Sequence, residues 1–351
     1  MFTAFSDMTL VALIGLFGGV LLGLAARLGR FCTLGAIEDA LYGGNDTRMR
    51  MWGVAIGTAI IGSYSLMGLG LLDASQTLYL GLAWNPLASV IGGLLFGYGM
   101  ALSGNCGFGA LARLGGGDMR SFVIVLVMGL AAYITISGPL AYLRVWAFPV
   151  DQNPEHIPGI AHAIERATGI SAIVAGLVIG AGILALSFFR GALLTHPKAL
   201  FWAAVVGLAI VSGWAGTHWV ASQSFEPVRI VSHTFSAPIG ETMLYAMTAS
   251  GNSLSFGVGS VVGVLVGAFI GSLIKGHFRW EACEDPRELQ RQIGGAFLMG
   301  VGAVLAIGCS IGQGLSAFSL LAFSAPITFA AIFAGAAFGL RQLIAGFSPA
   351  T

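Results

Sequence analysis

Apolar runs of about twenty residues recur along the chain between short polar breaks. A bilayer core about 30 Å thick requires roughly that many apolar residues per crossing helix. The pattern predicts nine spans, at 8–29, 51–72, 85–104, 120–143, 170–189, 199–219, 254–275, 290–308 and 326–348. Two longer polar stretches interrupt the series, at 144–169 and 220–253. The first holds Pro149, Asp151, Asn153, Pro154, Glu155 and Pro158. It reads as the join between a first half, 1–143, with four spans and a second, 170–351, with five. Short apolar segments at 31–43, 107–117 and 310–322 each follow a span directly and are rich in small residues. They suit re-entrant or broken helices, which membrane proteins tolerate where the backbone is buried in protein or lines a cavity. The predicted fold is an all-α polytopic membrane protein.

Composition excludes the rivals. Charged residues make up 9% of the 351 positions, against about 25% in soluble domains. The residues AVILMFWYC account for 56%, and glycine adds 53 positions. An ordinary soluble enzyme would lack the charge to cover its surface. A net charge of +1, with no basic run, argues against a nucleic-acid partner. Of the 16 Lys and Arg residues, 13 fall after odd-numbered spans. Basic residues stay on the cytoplasmic side. The expected N-terminus is therefore periplasmic and the C-terminus cytoplasmic, which requires an odd number of spans.

Part of the glycine is patterned. Gly92, Gly97, Gly99, Cys106 and Gly109 recur at the same spacing as Gly295, Gly300, Gly302, Cys309 and Gly312. A weaker copy is Gly18, Gly23, Ala25, Cys32 and Gly35. The two full copies end spans 3 and 8, which run in opposite directions if all nine segments cross. That is the mark of an inverted pseudo-two-fold repeat, whose binding site lies near the midplane between broken helices. Close-set glycines let helices approach, and helix starts leave backbone N–H groups free; Gly107, Gly109 and Gly312 stand at such starts. A single buried cysteine is most often a packing residue. Three at one repeated place favour a function. Cys283, in the charged stretch Arg279–Asp285, reads as incidental.

Three thiols offer several chemistries. Structural disulfides are disfavoured in a reducing cytoplasm. There is no C-x-x-C, and none of the six histidines stands at metal-ligand spacing from a cysteine. Convergent thiolates with methionines can hold a soft ion such as Cu(I), so a soft-metal transporter is one alternative. A membrane sulfurtransferase forming a cysteine persulfide is another. The leading reading is a path for a soft sulfur-containing anion, with helix N-termini supplying positive dipole ends and neutral S–H groups making contacts weak enough to release the ligand. No G-x-x-x-x-G-K-[ST] motif occurs, and no cofactor is expected.

The residues Gly29–Cys32, Gly104–Gly109 followed by Arg113–Gly115, and Gly308–Cys309 followed by Gly312 resemble the YeeE/YedE family of bacterial inner-membrane sulfur transporters. The resemblance spans nearly the whole chain. It implies an hourglass-like interior with short helices dipping to its centre. It also implies thiosulfate uptake along a path lined by Cys32, Cys106 and Cys309 through transient S–H···S contacts, and a small TusA-like cytoplasmic sulfur carrier as partner.

Polar residues near the thiols complete the candidate set. Asn105, Ser310 and Gln313 are candidate donors to an oxyanion, or else interhelical bonds. Glu38 and Asp39 are expected to pair with Arg27 and Arg30, the rival role being proton coupling at Glu38 or Asp39. Glu241 is expected to cap a short helix, and Arg113 and Arg120 to face the cytoplasm.

Overall fold

A computed structural model describes residues 6–149, 156–189, 192–282 and 285–346. Cys283 and the polar join residues Asp151, Asn153, Pro154 and Glu155 lie outside the described residues. Helices account for nearly all of the regular structure. In chain order they are α1 (Asp7–Leu28), α2 (Thr33–Leu41), α3 (Thr47–Gly68), α4 (Pro86–Ser103), α5 (Gly107–Gly115), α6 (Met119–Ile136) and α7 (Leu140–Ala147). They continue as α8 (Ile160–Thr168), α9 (Ala172–Phe188), α10 (Pro197–Gln223), α11 (Ala237–Thr248), α12 (Phe256–Ile274), α13 (Pro286–Leu305) and α14 (Ser324–Ala345). A π-helical segment, Gly312–Ala317, precedes α14.

Each of the nine predicted spans coincides with a long helix, but not all qualify as crossings by length and polarity. Among the described residues, seven helical stretches are long and apolar enough, counting α1 with α2 and α4 with α5. Of the other two long helices, α9 has only 17 residues, and α13 carries Arg287, Glu288 and Arg291 near its start. The span predicted at 120–143 stops at Ile136, where Ser137, Gly138 and Pro139 break it; proline cannot donate the next helical bond. The remainder becomes α7, which buries no residue and exposes Tyr142 and Trp146. Such aromatic residues suit the membrane–water interface.

The repeated glycines are helix contacts. A Cβ on Gly92 would lie 2.7 Å from the Gly302 carbonyl oxygen, and one on Gly302 would lie 2.6 Å from that of Gly92. Gly295 stands in the same relation to Gly99, at 2.6 Å. Gly92 meets Gly302 while Gly99 meets Gly295, so α4 and α13 run antiparallel. Side chains at these positions would force the backbones apart. In the weaker copy, only part of this packing is kept. Gly18 makes room for the His233 ring, whereas Gly23 keeps a helix contact, meeting α12 together with Gly15 and Gly19, which lie outside the copy.

Contacts in the first half recur in the second. α1 packs on α12 as α10 packs on α3, and α4 on α14 as α13 on α6. α2 lies against α3 and α14, as α11 lies against α12 and α6. α5 packs on α6 and α12, as the π segment packs on α14 and α3. This correspondence makes α11 the counterpart of α2. The polar stretch 220–253, where a short helix is expected at Glu241, thus contains a fourth short helix, which begins earlier, at Ala237.

Candidate functional site

Each of the three described cysteines begins a short helix. Cys32, Cys106 and Cys309 are free thiols. Their carbonyls accept from Ala36 at 3.1 Å, Ala110 at 2.7 Å and Gln313 at 2.8 Å, the first turn of α2, of α5 and of the helix running into the π segment. Two residues before each cysteine the chain turns left-handed, at Arg30 (φ 55°), Gly104 (φ 75°) and Ile307 (φ 54°). This conformation costs an L-residue about 1 kcal/mol. The shared kink ends the preceding long helix and turns the thiol toward the start of the next one.

The thiols are held by backbone and hydroxyl groups. Cys106 and Cys309 are buried and Cys32 is half-buried. The Cys106 Sγ accepts from Gly109 N–H at 3.4 Å, and the Thr33 hydroxyl lies 4.0 Å away. The Cys309 Sγ accepts from Phe235 N–H at 3.2 Å and Gly312 N–H at 3.4 Å, with the Thr234 hydroxyl at 3.6 Å. Thr33, which follows Cys32, reaches both the Cys106 sulfur and the hydroxyl of Ser310, which follows Cys309, so the three thiol segments meet at this point. Fold and repeat thus bring together three thiols that are far apart in the chain.

Two cavities lie at opposite ends of α4. One, about 420 Å³, is lined by Tyr79, Trp84, Thr234, Ser236, Gly308 and Gln313 among others. Its charged lining residues are Arg144 and Arg229. The other, about 330 Å³, reaches Cys32 and Asn105 and is lined by Arg27, Arg30, Arg48, Arg113 and Lys275, with Glu38 as its acidic residue. Both therefore present a positive lining to an anion. Between them Cys106 is sealed, with the Thr33 hydroxyl donating to Ser310 at 3.1 Å beside it. At the mouth of the Cys32 cavity Lys275 donates to the carbonyl of Arg27 at 2.5 Å. Burial, then the neighbouring charges of Arg30 and Arg27, lower its pKa below the ordinary lysine value.

The polar candidates divide. Asn105 is buried with its Oδ1 unpartnered, and it lines the Cys32 cavity. Ser310 sits in the seal beside Cys106. The Gln313 amide nitrogen is occupied by the carbonyls of Ala306, at 2.7 Å, and Ile307, at 3.2 Å, so it secures the end of α13, and its Oε1 is unpartnered. Gly109 and Gly312 direct their N–H groups at the thiols. Gly107 leaves room for Met128 and the Phe235 carbonyl. The expected pairing of Glu38 and Asp39 with Arg27 and Arg30 is replaced by another. Asp39 pairs with Arg48 at 3.2 Å, Arg27 turns to Ser272 at 2.6 Å, and Glu38 is exposed on the cavity, with no ion pair among the described residues. Glu241 lies inside α11, whose cap position is Ser236. Arg120 is tied to Asp118 at 3.3 Å and Glu281 at 3.8 Å.

Sequence reasoning missed Thr33, Tyr79, Thr234 and Ser236. Tyr79, Thr234 and Ser236 precede helices or lie in extended chain, where no hydrophobic period marks them. One signal was available: Ser236–Ala237–Pro238 is a helix start, with serine at the cap and proline in the first turn. Among the described residues, no group of three or more His, Cys, Asp or Glu side chains is placed to hold a metal ion.

A polytopic helical scaffold with buried thiols between two cation-lined cavities is the architecture of a membrane transporter, and comparison with known proteins agrees. A family model described as sulphur transport matches residues 28–338, and the chain belongs to that family, the YeeE/YedE group. It is similar to the thiosulfate transporter TsuA of Spirochaeta thermophila, with 27% identity over 317 residues, 88% of this chain and 92% of the relative. It is also similar to the thiosulfate transporter TsuA of Escherichia coli, with 28% identity over 316 residues and 86% of each chain. The protein is a multi-pass membrane transporter of sulfur compounds, not an enzyme.

Proposed function

We propose that the protein takes up thiosulfate across the bacterial inner membrane through a central path on which Cys309, Cys106 and Cys32 act in turn. The observation that carries this reading is the placement of three thiols at three short-helix starts, between two positive cavities. Both curated relatives are named for thiosulfate transport. An anion leaving water needs fixed dipoles in exchange for its hydration. Here the N–H groups of Gly109, Phe235 and Gly312 already point at sulfur atoms. A terminal sulfur passing from thiol to thiol keeps contacts that are individually weak, and conduction requires such contacts.

Pairwise helix directions support nine crossings and an inverted repeat of two halves on either side of 144–169. α1 runs parallel to α12, α3 to α10, and α4 to α14, whereas α3 opposes α9 and α4 opposes α13. Alternation over nine spans, with α9 as the fifth and α13 as the eighth, gives each of these relations. The distribution of basic residues supports a periplasmic N-terminus, with the Tyr79 cavity outside and the Cys32 cavity inside. The inner cavity is where a TusA-like carrier would collect the product, and its five cations would draw the anion inward.

The test is uptake of radiolabelled thiosulfate by cells expressing Cys32→Ala, Cys106→Ala or Cys309→Ala at equal membrane abundance. Each should lose at least about tenfold in rate, the scale of a contact worth about 1.4 kcal/mol. Uptake at the wild-type rate in all three would remove the thiol path. A stable added sulfur on a thiol, found by mass spectrometry after incubation with thiosulfate, would favour persulfide chemistry instead.

A further inference from the structure

We propose that the Tyr79 cavity contains a hydroxyl-built subsite for the oxygen end of the anion, with Ser236 in the place that Cys32 holds in the other half. The proposal rests on thiosulfate passage and adds which residues grip which end of the ion.

Three observations lead to it. First, α11 and α2 occupy corresponding positions against their neighbours, so the residue that starts α11 corresponds to the one that starts α2. Those residues are Ser236 and Cys32. Each lines its own cavity. Second, Ser236 is only 3% exposed, yet its side chain makes no cap bond to α11 and, among the described residues, no other hydrogen bond. A hydroxyl that lines a cavity and bonds no protein group is free to bond what enters that cavity. Third, a pair of hydroxyls stands in the same lining. The Tyr79 and Thr234 hydroxyl oxygens both lie against Gly312, and Thr234 reaches the Cys309 sulfur at 3.6 Å.

Chemistry separates the two ends of the ligand. Thiosulfate carries three hard oxygens and one soft terminal sulfur. Hydroxyl donors bond oxyanions better than thiols do, while a thiol is the softer neighbour for sulfur. With Ser236 and Tyr79 on the oxygens, the terminal sulfur would face Cys309, the first thiol inward. Arg144 and Arg229 in the same lining favour the anion over a neutral solute. At the inner mouth a thiol stands instead of the serine, so the two cavities differ at the corresponding helix start.

The experiment measures KM and Vmax for radiolabelled thiosulfate uptake in cells, with membrane abundance quantified. Ser236→Ala should raise KM about tenfold, the effect of one lost hydrogen bond to a charged ligand, and leave Vmax within about twofold. Ser236→Thr, which keeps the hydroxyl, should stay near the wild-type KM. Tyr79→Phe keeps its ring against Trp214 and should raise KM several-fold; it decides the matter if Ser236→Ala fails to reach the membrane. Unchanged KM in both hydroxyl deletions, or a loss confined to Vmax, overturns the subsite. No uptake by the wild-type protein would instead overturn thiosulfate transport itself, so the two failures are distinct.

Discussion

The Thr33 hydroxyl donates to the Ser310 hydroxyl at 3.1 Å across 277 positions of sequence. It ties the start of α2 to the chain just beyond Cys309, and it does so beside the Cys106 thiol. One hydroxyl pair thus joins the two short helices that flank the central thiol.

Thr33→Val keeps the shape of this seal and deletes the donor. It should cost about 1–2 kcal/mol, because Ser310 loses a buried partner. Thermal unfolding of purified protein in detergent would show a lowered midpoint, and Thr33→Ser should recover most of the loss. Equal melting of Thr33→Val and wild type would mean that the bond holds nothing.

Gly104 isolates the cost of the shared kink. It has φ 75°, and no atom lies within 4 Å of the point a Cβ would occupy, so Gly104→Ala meets no clash. The substitution should destabilise by about 1 kcal/mol, from backbone conformation alone. A melting shift several times larger would point to a packing role that the geometry lacks.

Gly302 behaves differently, because its space is already taken by α4. Gly302→Val would drive a branched side chain into the carbonyl of Gly92. Overpacking of this kind costs about 1–3 kcal/mol or more, and here no flexible side chain can yield. The expected result is little monodisperse protein on size exclusion, against normal recovery for Gly294→Ala, which faces open space.

Lys275 supplies a pH dependence. Its pKa lies below the ordinary 10.5 because burial and the charges of Arg30 and Arg27 disfavour the ammonium. As pH rises, it loses its charge before a free lysine would, and the Cys32 cavity loses one of its five cations. The folded state is penalised while Lys275 is charged, and that penalty lifts as pH rises through the lowered value. Stability from this group should therefore increase with alkalinity while the anion attraction weakens. Comparing uptake and melting of wild type and Lys275→Gln across the alkaline range checks both signs; parallel profiles would show that Lys275 does not titrate there.

Much of the architecture was legible in the chain. Long apolar runs must become helices in a membrane, since no water satisfies an open backbone there. The recurrence of Gly92, Gly97, Gly99 and Cys106 as Gly295, Gly300, Gly302 and Cys309 marked the contacting helices and the thiols together. That the nearby charges would pair was also legible, but not which would meet. Asp39 chose Arg48 over Arg27 and Arg30 because α2 folds back against α3, where Arg48 sits in the first turn.

The sequence by itself determined the class of protein, the positions of the long helices and the repeated placement of three thiols after them, because each depends on local composition or spacing. Only the tertiary structure decided what surrounds those thiols. Tyr79, Thr234 and Ser236 lie in segments without hydrophobic period, and the correspondence of Ser236 with Cys32 appears in which helices touch, not in any shared motif. Backbone and hydroxyl groups distant in sequence converge there because close glycine packing leaves the short helices one place to dip.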